Sequence, residues 1–444
     1  MGHDSRATTA RSETISLVPS TSWFVCRSRS RRPDTLLPDD ARHLPDSPDR
    51  EPAVTGSTNA AALDAETLAE LLQTIRRFVN ERLIPAEETV DREDRMPEDI
   101  LAEMKAMGLY GVTIPVEYGG LGLNAEESVQ VFFELCRAAP AFRSVTGINN
   151  GLGSSSILYD GNDEQRDRYV RRLASGDLVA AFCLTEPDSG SDAGALTTTA
   201  RREGDTYVLN GTKRYITNAP QAGIFIVMAR TDPTKPGAAG VSAFIVERDT
   251  PGLSVARPDR KMGQKGAHLA DVIFEDCRIP ASALIGREGQ GFKVAMRALD
   301  RGRIHIAAMC VGISDRLIDE GLTYALERPQ FGKPIAEYQL VQAMLADSKA
   351  EMYAGRCMVL DAARRLDRGE RVSVEASCAK MFASEACGRI ADRVVQIHGG
   401  AGYISECAAE RLYRDVRVFR LYEGTTQIQQ LIIARDMIRA RRGG

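Results

Sequence analysis

The chain has 444 residues, 43% of them hydrophobic and 27% charged, with a net charge of −4. That length gives two or three packed units, the slightly acidic balance offers no electrostatic case for nucleic acid, and no apolar run is long enough to span a bilayer. The nine cysteines are scattered and never spaced C-x-x-C, which predicts reduced thiols and a cytoplasmic setting.

Residues 1–61 are rich in Ser, Pro, Asp and Arg, with Arg27, Arg29, Arg31 and Arg32 in a basic knot. Too little apolar surface is present to offset chain entropy, so this stretch is expected to be a disordered extension. Its Ser- and Arg-rich start also allows a mitochondrial transit peptide, and hence a matrix location. The clean amphipathic pattern of a transit helix is missing.

Residues 62–178 read as an N-terminal helical domain. Leu68, Leu71, Leu72, Ile75, Phe78 and Val79 recur at helical spacing, and Pro85 should end or kink that helix. Further helices are predicted over Pro97–Met107, Glu126–Arg137 and Glu164–Ala174. The glycine-rich turn Tyr118–Leu123 follows no strand of a βαβ unit and is no dinucleotide fingerprint.

Residues 179–285 change period and predict a middle antiparallel β domain. Thr206–Leu209, Asn210-Gly211 and Lys213–Thr217 read as strand, turn and strand. Ile224–Met228, Val241–Val246 and Val272–Phe274 supply more strands. Residues 286–444 return to long amphipathic helices over Gln290–Leu326, Glu337–Leu366, Val374–Ile397 and Thr426–Arg439, as in a four-helix bundle. The fold class is thus α+β, mainly α.

Several stretches could carry chemistry. Glu423 is followed by Gly424, a residue that lets backbone approach a ligand. Thr426 and Gln429 then stand in capping-box spacing before Leu431, Ile432 and Ile433. This places Glu423 just outside a helix N-terminus, where an acid also complements the helix dipole. The loop Cys183–Gly194 offers backbone N–H groups and hydroxyls to a polar ligand, or solvates itself as a turn. Tyr215 and Thr217, at i and i+2, face one side of a strand and could stack on and bond a planar cofactor. Arg328–Lys333 is a basic and aromatic inter-helix loop, and Gln396–Tyr403 ends a helix in glycines that would serve as its C-cap. His3, His43, His268, His305 and His398 show no metal-ligand spacing, so no metal is predicted. The absence of G-x-S-x-G argues against a hydrolase serine.

Taken in this order, these stretches resemble the acyl-CoA dehydrogenase family of flavoproteins. The resemblance runs from about Ala62 to Ala440. It is carried by Leu184-Thr185-Glu186-Pro187 leading into Gly190-Ser191-Asp192, and by Tyr422-Glu423-Gly424-Thr425 leading into Gln427-Ile428-Gln429. Lys261-Met262-Gly263 and Phe274-Glu275-Asp276 through Pro280 add to it.

The resemblance implies FAD as cofactor and an acyl-CoA substrate, with a place in fatty-acid β-oxidation. It implies that Glu423 removes the α-proton of the thioester while a hydride leaves Cβ for flavin N5, giving the trans-2-enoyl-CoA. Burial beside flavin and acyl chain would raise the pKa of that acid, and its own N–H would help hold the thioester oxygen. Thr185, Ser191, Tyr215, Thr217, Arg328, Phe331, Gln396, Gly399, Gly400, Thr425 and Gln427 match FAD-contacting positions, some of them reaching a neighbouring subunit's cofactor. Ser191, Asp300, Arg303, Tyr422 and Gly424 match the substrate side, with Asp300 near the CoA adenine. A shared site implies a homotetramer, and electron-transferring flavoprotein is the implied acceptor. Tyr215 stands where many members have Trp. Gly302 stands where a minority carry their base, and a small residue there is consistent with Glu423. Gly266-Ala267-His268-Leu269 departs from the family's Ser/Thr-bearing pattern. An acyl-CoA oxidase, a nitroalkane-oxidase-like flavoenzyme and a non-catalytic paralogue are the alternatives on the same fold.

Overall fold

The computed structural model describes residues 62–442; the expected disordered extension lies outside them. Three layers follow one another along the chain, and the helical layers at either end share a core.

Helix α1 (Ala65–Phe78) starts where the Asp64 carboxylate accepts from the Thr67 N–H at 2.8 Å, an N-cap that satisfies one of the free donors of the first turn. Pro85 does not end the run. A π-turn over Val79–Leu83 leads directly into α2 (Ile84–Glu93), so the missing proline N–H is absorbed by one wide turn. Next come α3 (Glu98–Ala106) and α4 (Ala125–Leu135), the latter opened by a full capping box between Asn124 and Glu127. Two helices of this layer were not foreseen. They are α5 (Pro140–Gly147), with proline in its first turn, and α6 (Leu152–Asp160). The short α7 (Asp163–Gln165), a π-turn over Arg166–Val170 and α8 (Arg171–Ser175) complete this layer.

The sheet contains β1 (Ala180–Cys183), β2 (Thr199–Glu203), β3 (Thr206–Thr217), β4 (Ile224–Arg230), β5 (Val241–Glu247), β6 (Leu253–Val255), β7 (Leu269–Pro280) and β8 (Leu284–Ile285). Its order is β6-β7-β3-β2-β4-β5-β8, with β1 also on β4. Most pairs are antiparallel, but β1 runs parallel to β4, from Ala180 opposite Ile224 to Cys183 opposite Val227. The sheet is therefore mixed. Ile224 to Ala229 are all buried, as suits a strand covered on both faces.

The Asn210-Gly211 hairpin is corrected. These residues lie within the single strand β3, at a register shift against β7. The Asn210 side chain accepts from the Asp276 N–H at 2.8 Å, and a Cβ on Gly211 would lie 2.6 Å from the Thr198 hydroxyl. Close approach of neighbouring backbone, a β-bulge, is what the glycine serves. The true reversal is Gly204-Asp205, between Glu203 and its partner Thr206.

The last layer is α9 (Gly291–Glu327), a β9 (Pro329–Gln330) and β10 (Lys333–Pro334) ribbon, α10 (Gln339–Asp367), α11 (Ser373–His398), α12 (Ala408–Val416) and α13 (Thr426–Arg442). One buried cluster runs from Ile75 and Phe132 to Ile304, Val394 and Phe419. Polar ties cross the same boundary. The Asp367 carboxylate accepts from the Ala125 and Glu126 N–H groups at 2.7 and 2.9 Å, so α10 caps α4. The buried Glu87 carboxylate takes the Ala139 N–H at 2.7 Å and Arg411 at 3.2 Å. Among the described residues no helix is long and apolar enough to cross a membrane.

Candidate active site

Where the sheet, α5, α9 and the approach to α13 meet, they enclose a cavity of about 1260 Å³. That exceeds the ~300–1,000 Å³ typical of a single small-molecule site. One wall is the loop after β1. Glu186 and Ser189 close it as an isolated bridge. The Glu186 carboxylate accepts from the Thr197 and Thr198 N–H groups at 2.6 and 2.9 Å and from Lys213 Nζ at 2.7 Å. Both side chains of that ion pair are buried. Burial opposes the Glu186 charge, but Lys213 and the surrounding donors outweigh it and hold the carboxyl down at about 2. Burial also pulls Lys213 downward. With its partner carboxylate so well bonded, we assign the charged form to both. The pair fixes Thr185, whose carbonyl accepts from Arg214 on β3 at 2.8 Å.

Thr185, Ser191 and Thr217 line the cavity, and their hydroxyls bond no group among the described residues. Tyr215 lines it too, a residue 57% exposed with its backbone at φ 58°. The Arg214 guanidinium lies 4.9 Å from the ring centroid.

Glu423 enters from the opposite wall. It and Gly424 are consecutive left-handed residues, at φ 52° and 92°. Such a conformation is unfavourable for a side-chain-bearing residue unless its surroundings fix it. Here they do. Lys380 Nζ donates to the Gly424 carbonyl at 2.7 Å, and Gln429 Nε2 donates to the carbonyls of Glu423 and Gly424 at 3.2 and 3.0 Å. No capping box forms at α13, only a one-sided N-cap one residue earlier than expected. Thr425, not Thr426, accepts from the Ile428 N–H, and Thr426 bonds Glu385 instead.

The Glu423 residue is partly open to the cavity, yet its Oε2 is buried without a hydrogen bond. A Cβ on Gly302 would lie 2.2 Å from that oxygen. Burial raises the Glu423 pKa, while Arg143, Lys380 and Arg303 pull it back. A desolvated carboxylate aimed into an apolar cavity has the makings of a general base.

Family models described as "Acyl-CoA dehydrogenase, N-terminal domain", "middle domain" and "C-terminal domain" match residues 65–177, 181–277 and 289–438. The chain belongs to the acyl-CoA dehydrogenase family. As a member, it is an FAD-dependent oxidoreductase acting on acyl-CoA. It is 42% identical to the acyl-CoA dehydrogenase of Bacillus subtilis over 364 residues, covering 82% of this chain and 96% of that one. It is 41% identical over 377 residues to the human mitochondrial short-chain specific acyl-CoA dehydrogenase, covering 85% and 91%. It superposes with a TM-score of 0.82, at 36% identity over 84% of this chain and 98% of the other, on a chain of the structure reported as "Electron transferring flavoprotein of Acidaminococcus fermentans: Towards a mechanism of flavin-based electron bifurcation".

The residues present fit the cofactor of an acyl-CoA dehydrogenase. Three free hydroxyls, an exposed aromatic ring and a cavity too large for one small ligand suit a flavin beside a thioester. Arg303, Tyr422, Gly424 and Thr425 line this cavity as well.

Seven of the positions matched from sequence do not line it. Asp300 is turned to Arg303 and Ser373, with hydrogen bonds to both. Gln427 is exposed on α13. Arg328, Phe331, Gln396, Gly399 and Gly400 are exposed at the far ends of α9 and α11, where the Tyr324 and His398 rings stack at 4.3 Å and bring the two ends together. His398 is thus a packed histidine, bonded to the Val394 carbonyl.

Sequence reasoning missed Arg143, His305 and Lys380. Lys380 had a signal, since it falls on the buried stripe of α11 with Ala376, Ala379, Ala383 and Cys387. Burial holds its ammonium down to about 8.

Proposed function

We propose that this acyl-CoA dehydrogenase removes the α-proton of an acyl-CoA thioester with Glu423. The observation that carries this reading is the Glu423 Oε2, buried, unbonded and held against Gly302 on a loop tied by Lys380 and Gln429. The Glu423 N–H bonds no acceptor among the described residues, and donates to the thioester oxygen as charge develops on it. FAD, when bound, supplies the acceptor for the hydride leaving Cβ. Thr185, Ser191, Thr217, Tyr215 and Thr425 hold it, and the apolar walls exclude water from the reacting carbons. The product is the trans-2-enoyl thioester.

Arg328, Phe331, Gln396, Gly399, Gly400 and Gln427 are exposed together with Leu340 and Tyr403. A homotetramer in which such a face completes the neighbour's FAD site accounts for them, and Asp300 then acts on the CoA end through Arg303. Electron-transferring flavoprotein is the proposed acceptor, in keeping with the flavoprotein structure on which the chain superposes. Eight unpaired cysteines among the described residues suit a reducing compartment such as the bacterial cytoplasm.

The deciding experiment is anaerobic flavin reduction by short-chain thioesters in wild type and Glu423→Gln. The expected result is a yellow variant with normal flavin content and a rate reduced by ~10²–10⁴. Equal rates would remove Glu423 as the base.

A further inference from the structure

Residues 261–269 of the sheet layer form one wall of the cavity, to which Lys261, Met262, Gly263, Gln264, Ala267 and Leu269 contribute. One end of this wall is built into the sheet. Leu269 begins β7 and pairs with Thr217, and the His268 carbonyl accepts from the Asn218 N–H at 2.9 Å. Further ties come from the helical layers. The Asp94 carboxylate, just past α2, accepts from the Gly266 N–H at 2.7 Å. Gly263 presses directly on α12, where its Cβ would stand 2.7 Å from the Arg414 carbonyl and from the Asp415 carboxylate.

All three layers meet at Gln264, a residue only 7% exposed. Its N–H donates to the Asp415 carboxylate, and its Nε2 donates to the Asp415 carbonyl at 3.3 Å. Its Oε1 accepts from the Ser144 hydroxyl of α5 at 3.0 Å. From Asp415, α12 runs through the turn Arg417–Arg420 into the Glu423 loop. Gln264 makes these bonds from a left-handed backbone, at φ 51°. Glycine or asparagine would adopt that conformation with less strain. Neither could replace the glutamine. Glycine has no amide, and the asparagine amide stands one methylene closer to the backbone. A strained residue persists where its surroundings over-determine it, and such residues gather at working sites. The backbone here departs from its preference so that one long amide reaches both helical layers.

Resting on the reading that the cavity dehydrogenates a thioester, we infer that Gln264 is a positioning residue of that reaction, tying the wall beside Thr217 to the helix that leads into Glu423 and so fixing the base against the flavin side of the cavity. Gln264 takes no proton itself. Releasing the tie costs rate at nearly constant affinity, because the reacting geometry is lost while the other contacts to the ligand remain.

The test compares FAD-loaded wild type with Gln264→Gly and Gln264→Asn. Anaerobic flavin reduction is timed at saturating butyryl- and octanoyl-CoA. Dissociation constants come from flavin absorbance changes in a Glu423→Gln background. Amide hydrogen exchange is followed by mass spectrometry, with and without FAD. Both variants should reduce flavin ~10–10²-fold more slowly, with dissociation constants within ~3-fold of wild type. Exchange should be ~10-fold faster across residues 261–269 and unchanged in α9 and α11. Wild-type reduction rates in either variant would overturn the inference, since the long amide would then be dispensable. So would affinity that falls as far as rate, which would make Gln264 a ligand contact. Exchange that rises equally in α9 and α11 would also overturn it, as a general loss of stability. Should neither thioester reduce the wild-type flavin, the dehydrogenation reading falls by itself. Faster exchange confined to residues 261–269 in the variants would then still support the tie, and unchanged exchange would sink it.

Discussion

Gly302 and Glu423 occupy each other's space. The Glu423 Oε2 fills the position next to where a Gly302 side chain would begin, 2.2 Å from its Cβ. One helix residue without a side chain is what allows the acid from the α13 approach to stand in the cavity. Gly302→Ala should therefore leave flavin content and fold intact and displace the carboxylate. A misplacement of this kind lowers kcat/KM by ~10²-fold. Steady-state kinetics beside the flavin spectrum separates the two effects. Unchanged kinetics would show that the carboxylate has room to move.

The base must be ionised to accept a proton, and burial raises its pKa. With butyryl-CoA, which carries no distal acid, kcat/KM should therefore rise with pH along a limb lying above the ordinary glutamate range. Lys380 is one of the cations that pulls the Glu423 pKa down. Removing a cation favours the protonated acid, so Lys380→Met should move that limb to higher pH and also lower kcat through the lost tie to the Gly424 carbonyl. A limb that moves down or stays would reject the coupling.

Gly424 is left-handed at φ 92°, and a Cβ there would meet Gln429 Nε2 at 2.6 Å. Gly424→Ala is expected to lose ~1–3 kcal/mol of stability. It should also loosen Glu423, because Gln429 is the same group that holds the Glu423 carbonyl. Thermal unfolding and kcat should fall together.

Glu186→Ala leaves Lys213 charged and buried without its partner, a loss of ~3–5 kcal/mol. The sign with pH follows from a carboxyl held at about 2 in the folded chain against an ordinary value near 4.5. Its contribution is fully present above the ordinary value and is lost as pH falls toward about 2. Wild type should thus lose stability in acid more steeply than Glu186→Ala, measured by denaturant unfolding between pH 5 and 3 at roughly those values.

Long periodic segments were legible in the sequence because an amphipathic face repeats over many turns. The four long helices of the last layer each run within three residues of their expected ends. The failures were local. Asn210-Gly211 has the composition of a turn, but the pairing of β3 with β7 decided its conformation. Gly204-Asp205, also a turn dipeptide, made the reversal instead. Thr426 has cap spacing, yet the Glu385 carboxylate claims its hydroxyl and leaves the cap to Thr425. Helix α5 begins with proline in its first turn, a start signal that was available. Arg143 stands inside it among Ala141, Phe142 and Val145, and no local pattern distinguishes a cation aimed into a cavity from one on a solvated face. That takes the three-dimensional neighbourhood.

The core shared by the first and last helical layers has a consequence for biosynthesis. Besides Arg316, the Glu87 carboxylate finds a second arginine, Arg411, 324 residues downstream. At about 5–20 residues per second, that partner leaves the ribosome roughly 16–65 s after the acid does. Until α9 and α10 emerge, α4 lacks His305 and Arg356, the partners of Phe132 and Phe133, although the intervening sheet is complete enough to pair its own strands. Nascent chains halted near residue 285 should therefore hold a folded sheet behind a chaperone-binding helical layer, and ribosome-bound chains of increasing length should gain protease resistance there once α9 and α10 have emerged.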